Sequence, residues 1–353
     1  MNRTHTHLNA FCIVIVLAFC LPVRAYQVPQ AQDLSAAAQA ESAATKAVGA
    51  AITPGVPLAA VWRDRGNIAS LNLVDGPGGK EHQPAGKFTF VKEDKKGTSP
   101  KFEIVDEQGV RWKAKLGEET KSETAATRLV WAAGYFTDED YYLPELRVEK
   151  MPKLDRGRQY VSEDGVVRGV RLERRLKGQK KNGNWSWFKN PFVGTKELNG
   201  LRIMMALVNN WDLKENNNAI YLEKGEASRF VVSDLGATFG RTGNPLVRSK
   251  SNPGEYLGTK FIQKVTPEYV DFFLSSRPLF FTQVDVPNYV TRTKMQGVVK
   301  HIPRAHAKWL GQLLGQLSAE QIRDCFRAAG YSPEEVEGFA TTVQGRIADL
   351  NRL

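Results

Sequence analysis

Three oxygen-bearing side chains in the second half of the chain have the types and spacing of a site that holds a metal ion and a reacting group. Asp212 opens the stretch Asp-Leu-Lys-Glu-Asn-Asn, Asn217 lies five residues further on, and Asp234 opens an Asp-Leu-Gly motif. Carboxylate and amide oxygens are the ligands that Mg²⁺ takes in proteins. An ordinary turn is the alternative, because Asn and Asp are also frequent turn residues. The stretch lies between two apolar runs that would fix its ends, and this favours the metal site.

Two lysines and a glutamate could complete such a site by holding phosphate groups. Lys113 and Lys115 lie on one face of a predicted strand, since strand side chains alternate, and Glu123 lies near the start of the next predicted helix. A Lys–Glu pair from strand to helix would aim the ammonium at the phosphates of a nucleotide. We prefer Lys115, which lies nearer the strand's end. The alternatives are solvated lysines, and a capping box in which Glu123 pairs with Thr120.

In chain order these features resemble the protein-kinase-like superfamily, across about residues 88–240. The short loops are similar to its atypical branches: HipA-type kinases, phosphoinositide kinases and CotH-type secreted kinases. The resemblance implies an α+β, two-lobed protein-kinase-like fold with a β-rich N-lobe and a mainly helical C-lobe. It also implies phosphate transfer from ATP with Mg²⁺ or Mn²⁺, with Lys115 as the nucleotide lysine and Glu123 as its partner.

The same resemblance implies roles for the residues of the polar stretch. Asp212 would be the catalytic aspartate, and Lys214 would contact the γ-phosphate. Asn217 and Asp234 would be the metal ligands, and Gly236 would free the backbone at a tight turn. The sequence departs from the family where no His-Arg precedes the aspartate, where Asp-Leu-Gly replaces Asp-Phe-Gly, and where no Ala-Pro-Glu follows.

No glycine signature covers the phosphates. The stretch Lys-Lys-Gly-Thr-Ser-Pro-Lys stands in its place, and Gly97, Thr98 and Ser99 are the predicted backbone or hydroxyl donors. A second glycine-rich stretch, residues 75–86, does not fit the phosphate-loop pattern, because Lys80 is followed by Glu81.

Periodicity predicts the elements that carry these residues. Strands are expected at 88–94, 101–109, 110–117, 141–149, 166–174, 219–222 and 229–233, and helices at 121–133 and 195–208. The basic stretch 177–185 is expected to be a linker. Beyond Asp-Leu-Gly the chain is expected to be mostly helical, with capping boxes at Ser318–Gln321 and Ser332–Glu335.

The N-terminus has the pattern of an export signal. Arg3 precedes an apolar run, and Val23 and Ala25 are the small or apolar residues at positions −3 and −1 of a cleavage site, so residues 1–25 are expected to be a signal peptide cleaved near Ala25. The mature chain would be periplasmic or extracellular, with no transmembrane segment. Residues 26–60 are expected to be an Ala/Gln/Pro-rich tether, 61–176 the N-lobe and 177–353 the C-lobe.

Composition narrows the choice of partners. The 353-residue chain is 42% hydrophobic and has a formal net charge of +11, which favours anionic partners. No basic block with interleaved aromatics indicates a specific nucleic-acid motif. The His and Cys spacing gives no zinc pattern, and Cys325 would be the one cysteine left after signal removal, so no intrachain disulfide is expected.

The segment after Asp-Leu-Gly, residues 237–264, is the predicted acceptor groove. It is rich in Gly and Pro, which predicts a loop, and carries five cations against one carboxylate. Arg248 and Lys250 are the expected contacts to an anionic acceptor; a solvated basic loop is the alternative. Two other functions stay open: an exported pseudokinase or interaction module that binds nucleotide weakly or not at all, and AMP transfer by the same core.

Overall fold

The computed structural model describes residues 59–222, 227–244, 247–274 and 286–353. The predicted signal peptide 1–25 and nearly all of the predicted tether 26–60 lie outside this part of the chain. Within the described residues, no helix combines the length and the apolar character that crossing a bilayer requires.

A closed five-stranded barrel forms the N-terminal part. A short strand, β1 (Ala59–Ala60), precedes the barrel strands β2 (Phe88–Asp94), β3 (Lys101–Asp106), β4 (Arg111–Lys115), β5 (Asp140–Glu149) and β6 (Val166–Arg174). Their order is β2-β3-β4-β6-β5, closed by a parallel β2–β5 pair. Alternate residues such as Phe102, Ile104, Trp112 and Ala114 point inward and are buried, so the polar residues between them face outward. The predicted meander and the two later strands are confirmed.

Helix α1 (Glu119–Ala132) follows the barrel strand β4 after a three-residue link and packs against β5 and β6. The alternative capping box is wrong, because Thr120 lies inside the helix and its hydroxyl donates to the Gly117 carbonyl at 3.0 Å. Glu123 is therefore free to turn its carboxylate towards β4.

A second sheet begins the C-terminal part and carries the polar stretch. Its order is β1-β9-β8-β7, from β7 (Lys180–Lys181), β8 (Asn218–Leu222) and β9 (Ser228–Val232). The predicted linker 177–185 therefore contains a strand, because its backbone pairs with the open edge of β8. Helix α2 (Lys196–Leu207) precedes the polar stretch, and Thr195 caps it by accepting the Leu198 N–H.

The rest of the chain is mixed before it becomes helical. The elements are β10 (Thr242–Asn244), β11 (Val247–Arg248), α3 (Pro253–Leu257), β12 (Ile262–Val265), β13 (Tyr269–Phe272), α4 (Val286–Gly297), β14 (Ile302–Pro303), α5 (Arg304–Leu314), α6 (Ala319–Arg327) and α7 (Pro333–Asn351). The predicted loop 237–264 thus contains short elements: its Pro253 begins a helix that Asn252 caps, as proline at the first helical position often does. Both predicted capping boxes are present.

Among the described residues, the two large hydrophobic cores correspond to the two parts, and a third, small cluster lies at Ala219, Tyr221 and Val231. One large core fills the barrel, and the other joins α1, α2 and the helices from α5 onward. The predicted α+β class, with a β-rich part followed by a mainly helical part, is confirmed. Helix α1 belongs to the second core although it is inserted between barrel strands, so it can link the barrel to the polar stretch.

Candidate functional site

Lys115 is the centre of the candidate site. It is the last residue of β4, and its ammonium lies 2.5 Å from Glu119, 2.9 Å from Glu123 and 3.6 Å from Asp234. Glu119 and Glu123 are four residues apart, so one face of α1 presents both carboxylates. The structure therefore brings the predicted strand lysine, helix glutamate and Asp-Leu-Gly aspartate together. Their roles towards a nucleotide stay predictions.

The carboxylates keep Lys115 charged although its side chain is nearly buried. Burial alone would lower the pKa of Lys115, but Glu123, Asp234 and Glu119 outweigh burial and raise it. Arg171 approaches Glu123 to 3.4 Å from the other side, so this glutamate lies between two cations. Such a network fixes the direction of the ammonium, because carboxylates from α1 and from the Asp-Leu-Gly motif hold it together.

Lys113, the alternative lysine, belongs to a different cluster. It lies on the same strand face but contacts Glu173 at 3.0 Å, and Glu173 also holds Arg171 at 3.2 Å and Arg175 at 2.8 Å. Burial would raise the pKa of Glu173, but Lys113, Arg175 and Arg171 lower it. Among the described residues, the lysine that reaches α1 and Asp234 is Lys115.

The polar stretch is folded by its own side chains. The Asn217 side-chain amide donates to the Asp212 carbonyl at 2.8 Å, and the Asp212 carboxylate lies 2.8 Å from the Lys214 ammonium. The Ser233 and Asp234 N–H groups donate to the Asn217 carbonyl at 2.9 and 3.3 Å. These bonds place the end of β9 against the loop, so Asn217 and Asp234 are neighbours although 17 residues separate them.

Two further asparagines hold this arrangement, and sequence reasoning gave them no specific role. Asn210 accepts the Asp212 N–H at 3.1 Å and donates to the Asp234 carbonyl at 3.4 Å. Asn218 is buried and donates to the Trp185 carbonyl at 3.0 Å. The sequence does contain a signal for Asn210. It lies two residues before the predicted catalytic aspartate, and Asn and Asp side chains often bond to the backbone two residues further on.

Gly236 is required for a reason other than the one predicted. Its φ is not in the left-handed region. A Cβ at this position would lie 2.8 Å from the Glu119 Cβ, which is closer than real Cβ atoms come. Its carbonyl accepts the Ser122 hydroxyl at 2.8 Å. The glycine therefore lets the Asp-Leu-Gly motif pack against the start of α1.

The β2–β3 loop, residues 95–100, lies at the start of α1, where the Asp-Leu-Gly motif also packs. Gly97 has φ +71°, and its carbonyl accepts Arg156 at 2.7 Å. Ser99 donates from its hydroxyl to Glu119 at 2.9 Å, so the structure brings this predicted phosphate contact to the Lys115 cluster. Thr98, between these two residues, is exposed.

Glu119 is the site residue that sequence reasoning missed. It contacts Lys115, Ser99 and Lys250, from three different segments. Its spacing of four from both Lys115 and Glu123 was a signal. Lys250 was predicted as a contact to the acceptor, with a solvated loop cation as the alternative. Its ammonium bonds Glu119 and lies 5.6 Å from the Trp211 ring centroid, so it is not a solvated cation. The side chain of Arg248 lies outside the described residues.

The residues present fit a divalent cation in one of two possible places. Carboxylate oxygens of Glu119, Glu123 and Asp234 lie within 4.8 Å of one another, but the Lys115 ammonium already contacts all three. Asn217 and Asp234 are the better ligands. Within the described part of the chain both contacts of the Asp234 carboxylate use Oδ1, and its side chain is 43% exposed, so Oδ2 can accept a hard cation such as Mg²⁺ or Mn²⁺.

Comparisons with family models and with curated proteins find no match. Among solved structures, the chain is similar to a proinflammatory kinase of Helicobacter pylori, CtkA, at 11% identity over 75% of this chain and 96% of that one, with a TM-score of 0.43. It is also similar to the Golgi casein kinase at 11% identity over 74% and 75% of the two chains, and to that kinase with Mn/ADP bound at 11% over 75% and 75%, both with TM-scores of 0.33. Likeness at this level carries no argument about activity, which has to come from the site itself.

Proposed function

We propose that the chain is an ATP-dependent phosphotransferase that uses Mg²⁺ or Mn²⁺. The observation that carries this proposal is the position of Lys115, which is fixed by Glu123 and also contacts Asp234. Phosphoryl transfer requires little covalent chemistry from the protein. It requires a fixed cation for the phosphates, oxygen ligands for a metal ion, and a group that orients the acceptor.

The chain offers one residue for each requirement. Lys115 would bind the phosphates that precede the scissile bond, and Asn217 and Asp234 would hold the metal ion, which when bound neutralises charge on the phosphate oxygens. Asp212 would orient an acceptor hydroxyl and take its proton as the oxygen bonds to the γ-phosphorus and the bond to ADP breaks. Lys214, whose ammonium lies 2.8 Å from the Asp212 carboxylate, would face the γ-phosphate.

An anionic acceptor and action after export complete the proposal. The charge of the chain, +11, and the five cations of residues 237–264 support an acidic peptide, a phosphorylated head group or an acidic glycan. Arg248 is the proposed contact to the anionic acceptor, because Lys250 already bonds to Glu119. The apolar run before Ala25 supports export.

The decisive experiment compares ATP labelled at the γ-phosphate with ATP labelled at the α-phosphate. The full chain is incubated with Mn²⁺ or Mg²⁺ and a serine-containing peptide rich in glutamate, with Asp212→Ala as the matched inactive variant. Transfer of the γ label by wild type alone supports the proposal. Transfer of the α label would indicate AMP transfer. Metal-dependent ATP binding without transfer of either label to the chain itself, to the peptide, to a phosphorylated head group or to an acidic glycan would indicate a pseudokinase.

A further inference from the structure

Three donors from separate segments converge on the carboxylate of Glu119. The Lys115 ammonium lies at 2.5 Å and the Ser99 hydroxyl at 2.9 Å, both on Oε2, and the Lys250 ammonium bonds Oε1. Burial would raise the pKa of Glu119, but Lys115 and Lys250 lower it to about 2. The carboxylate is therefore ionised, and two ammonium groups and one hydroxyl surround it.

The same donors would suit a phosphate group, because carboxylates and phosphates accept the same charge-assisted hydrogen bonds. We propose that Lys115, Ser99 and Lys250 form the binding site for the nucleotide's phosphates, and that Glu119 fills it until the nucleotide displaces it. This inference rests on the proposed function and deepens it: Lys250 becomes a nucleotide ligand, and Glu119 an internal competitor.

The two glutamates of α1 differ in a way that allows such an exchange. Glu123 is 2% exposed and lies between Lys115 at 2.9 Å and Arg171 at 3.4 Å. Glu119 is 13% exposed and lies in the first helical turn. When Glu119 swings out, Lys115 keeps Glu123 as its partner, so displacement leaves no buried lysine unpaired.

Lys250 is held towards this site by its surroundings. The two residues after it are tied to the segment following Asp-Leu-Gly, through Ser251 N–H to the Thr238 carbonyl at 3.2 Å and Asn252 N–H to the Phe239 carbonyl at 2.8 Å. Its side chain is only 18% exposed and approaches the Trp211 ring. A cation placed this way faces the inside of the site, whereas a contact for a large acceptor would need to face solvent.

The test measures the Kd of ATP with Mn²⁺ by calorimetry on the full chain. Glu119→Gln keeps the side chain's shape and removes its charge, so it should bind ATP about tenfold more tightly or better, the order expected when a hydrogen bond to a charged group no longer has to be broken. Lys250→Met should bind about tenfold more weakly for the same reason. Glu118→Gln and Lys260→Met are the matched controls, since Glu118 adjoins Glu119, Lys260 belongs to the same basic segment as Lys250, and both are exposed; they should bind like wild type.

Tripolyphosphate, titrated in the same way, shows whether contacts to the phosphates alone account for the change in affinity. Circular dichroism checks that each variant is folded, and Lys250→Met tests the site even if Glu119→Gln is unstable. If wild type binds ATP and Glu119→Gln binds it equally or more weakly, the inference is wrong while the proposed function stands. If neither chain binds ATP or tripolyphosphate, both are wrong. If only Glu119→Gln binds, the inference is supported, because the internal carboxylate then blocks the site outright.

Discussion

Lys115→Met tests whether the buried charge network holds this site together. Methionine keeps the length of the apolar stem and removes the ammonium. The carboxylates of Glu119, Glu123 and Asp234, within 4.8 Å of one another, would then face each other without their shared cation. Lys113→Met is the matched control, because it removes a lysine from the same strand face, 3.0 Å from Glu173.

The two variants should differ in stability by about 2 kcal/mol. Removing one partner of a buried ion pair costs about 3–5 kcal/mol, and we expect about 3 kcal/mol for Lys115→Met because Glu119 and Glu123 keep Lys250 and Arg171 as partners. Lys113→Met should cost about 1 kcal/mol, in the range of partly exposed pairs, because other cations still neutralise Glu173.

Urea unfolding of the full chain measures both values, and calorimetry with ATP and Mn²⁺ measures binding in parallel. Lys115→Met should lower the midpoint without changing the m-value and should abolish ATP binding, whereas Lys113→Met should bind within a few-fold of wild type. A loss below about 1 kcal/mol for Lys115→Met, outside the range expected of a buried pair, would refute the argument. So would a larger loss of stability or affinity for Lys113→Met.

Four further predictions follow from the same geometry. Asp212→Ala should reduce γ-phosphate transfer by about 10²–10⁴ while calorimetry shows unchanged ATP affinity; wild-type turnover would remove this residue from its role. Asp234→Asn should lose the metal-dependent thermal shift with ATP yet unfold at the wild-type urea midpoint or above, and a retained shift would reassign the metal ligand. Gly236→Ala should cost about 1–3 kcal/mol in urea, as overpacking does, because its Cβ would lie 2.8 Å from Glu119; no loss would show that α1 can yield. The stability that Glu119 contributes should be present above its ordinary pKa of 4.5 and be lost as pH falls towards 2, so the difference in urea midpoint between wild type and Glu119→Gln should shrink between pH 6 and pH 3; a constant difference would contradict the low pKa.

Local patterns predicted the individual strands of the barrel and the hairpin, and long-range pairing accounts for most of what they missed, including the closure of the barrel. Alternation gave the barrel strands because each inward residue is apolar, as at Phe102 and Ile104. The parallel pairing of Ala59–Ala60 with Ser228–Arg229 has no local signature, since neither segment contains a pattern that identifies the other as its partner. The strand Lys180–Lys181 was not predicted for the same reason. Its basic composition indicates a linker, and it is a strand because its backbone pairs with the free edge of β8, about 40 residues further along the chain.

The candidate site was predictable where spacing along the chain mirrors spacing in the fold. The interval between Asp212 and Asn217 is one loop, and the side chain of Asn217 closes that loop onto the Asp212 carbonyl. Glu119 was not predictable in this way, because Glu118, Glu119 and Glu123 are equally good helix residues near a helix start. Which of them faces the lysine depends on how the helix is rotated against the barrel, and packing decides that rotation.

The choice between Lys113 and Lys115 follows from two structural constraints that act together. In the antiparallel β4–β6 register, Lys113 lies directly opposite Glu173, so the neighbouring strand neutralises it. Lys115 lies opposite Arg171, a cation that cannot neutralise it. Helix α1 begins four residues after Lys115, so its first two turns supply the missing negative charge from Glu119 and Glu123. A lysine whose strand partner is another cation must take its counter-charge from outside the sheet, and this requirement ties the end of β4 to the helix and to the Asp-Leu-Gly motif.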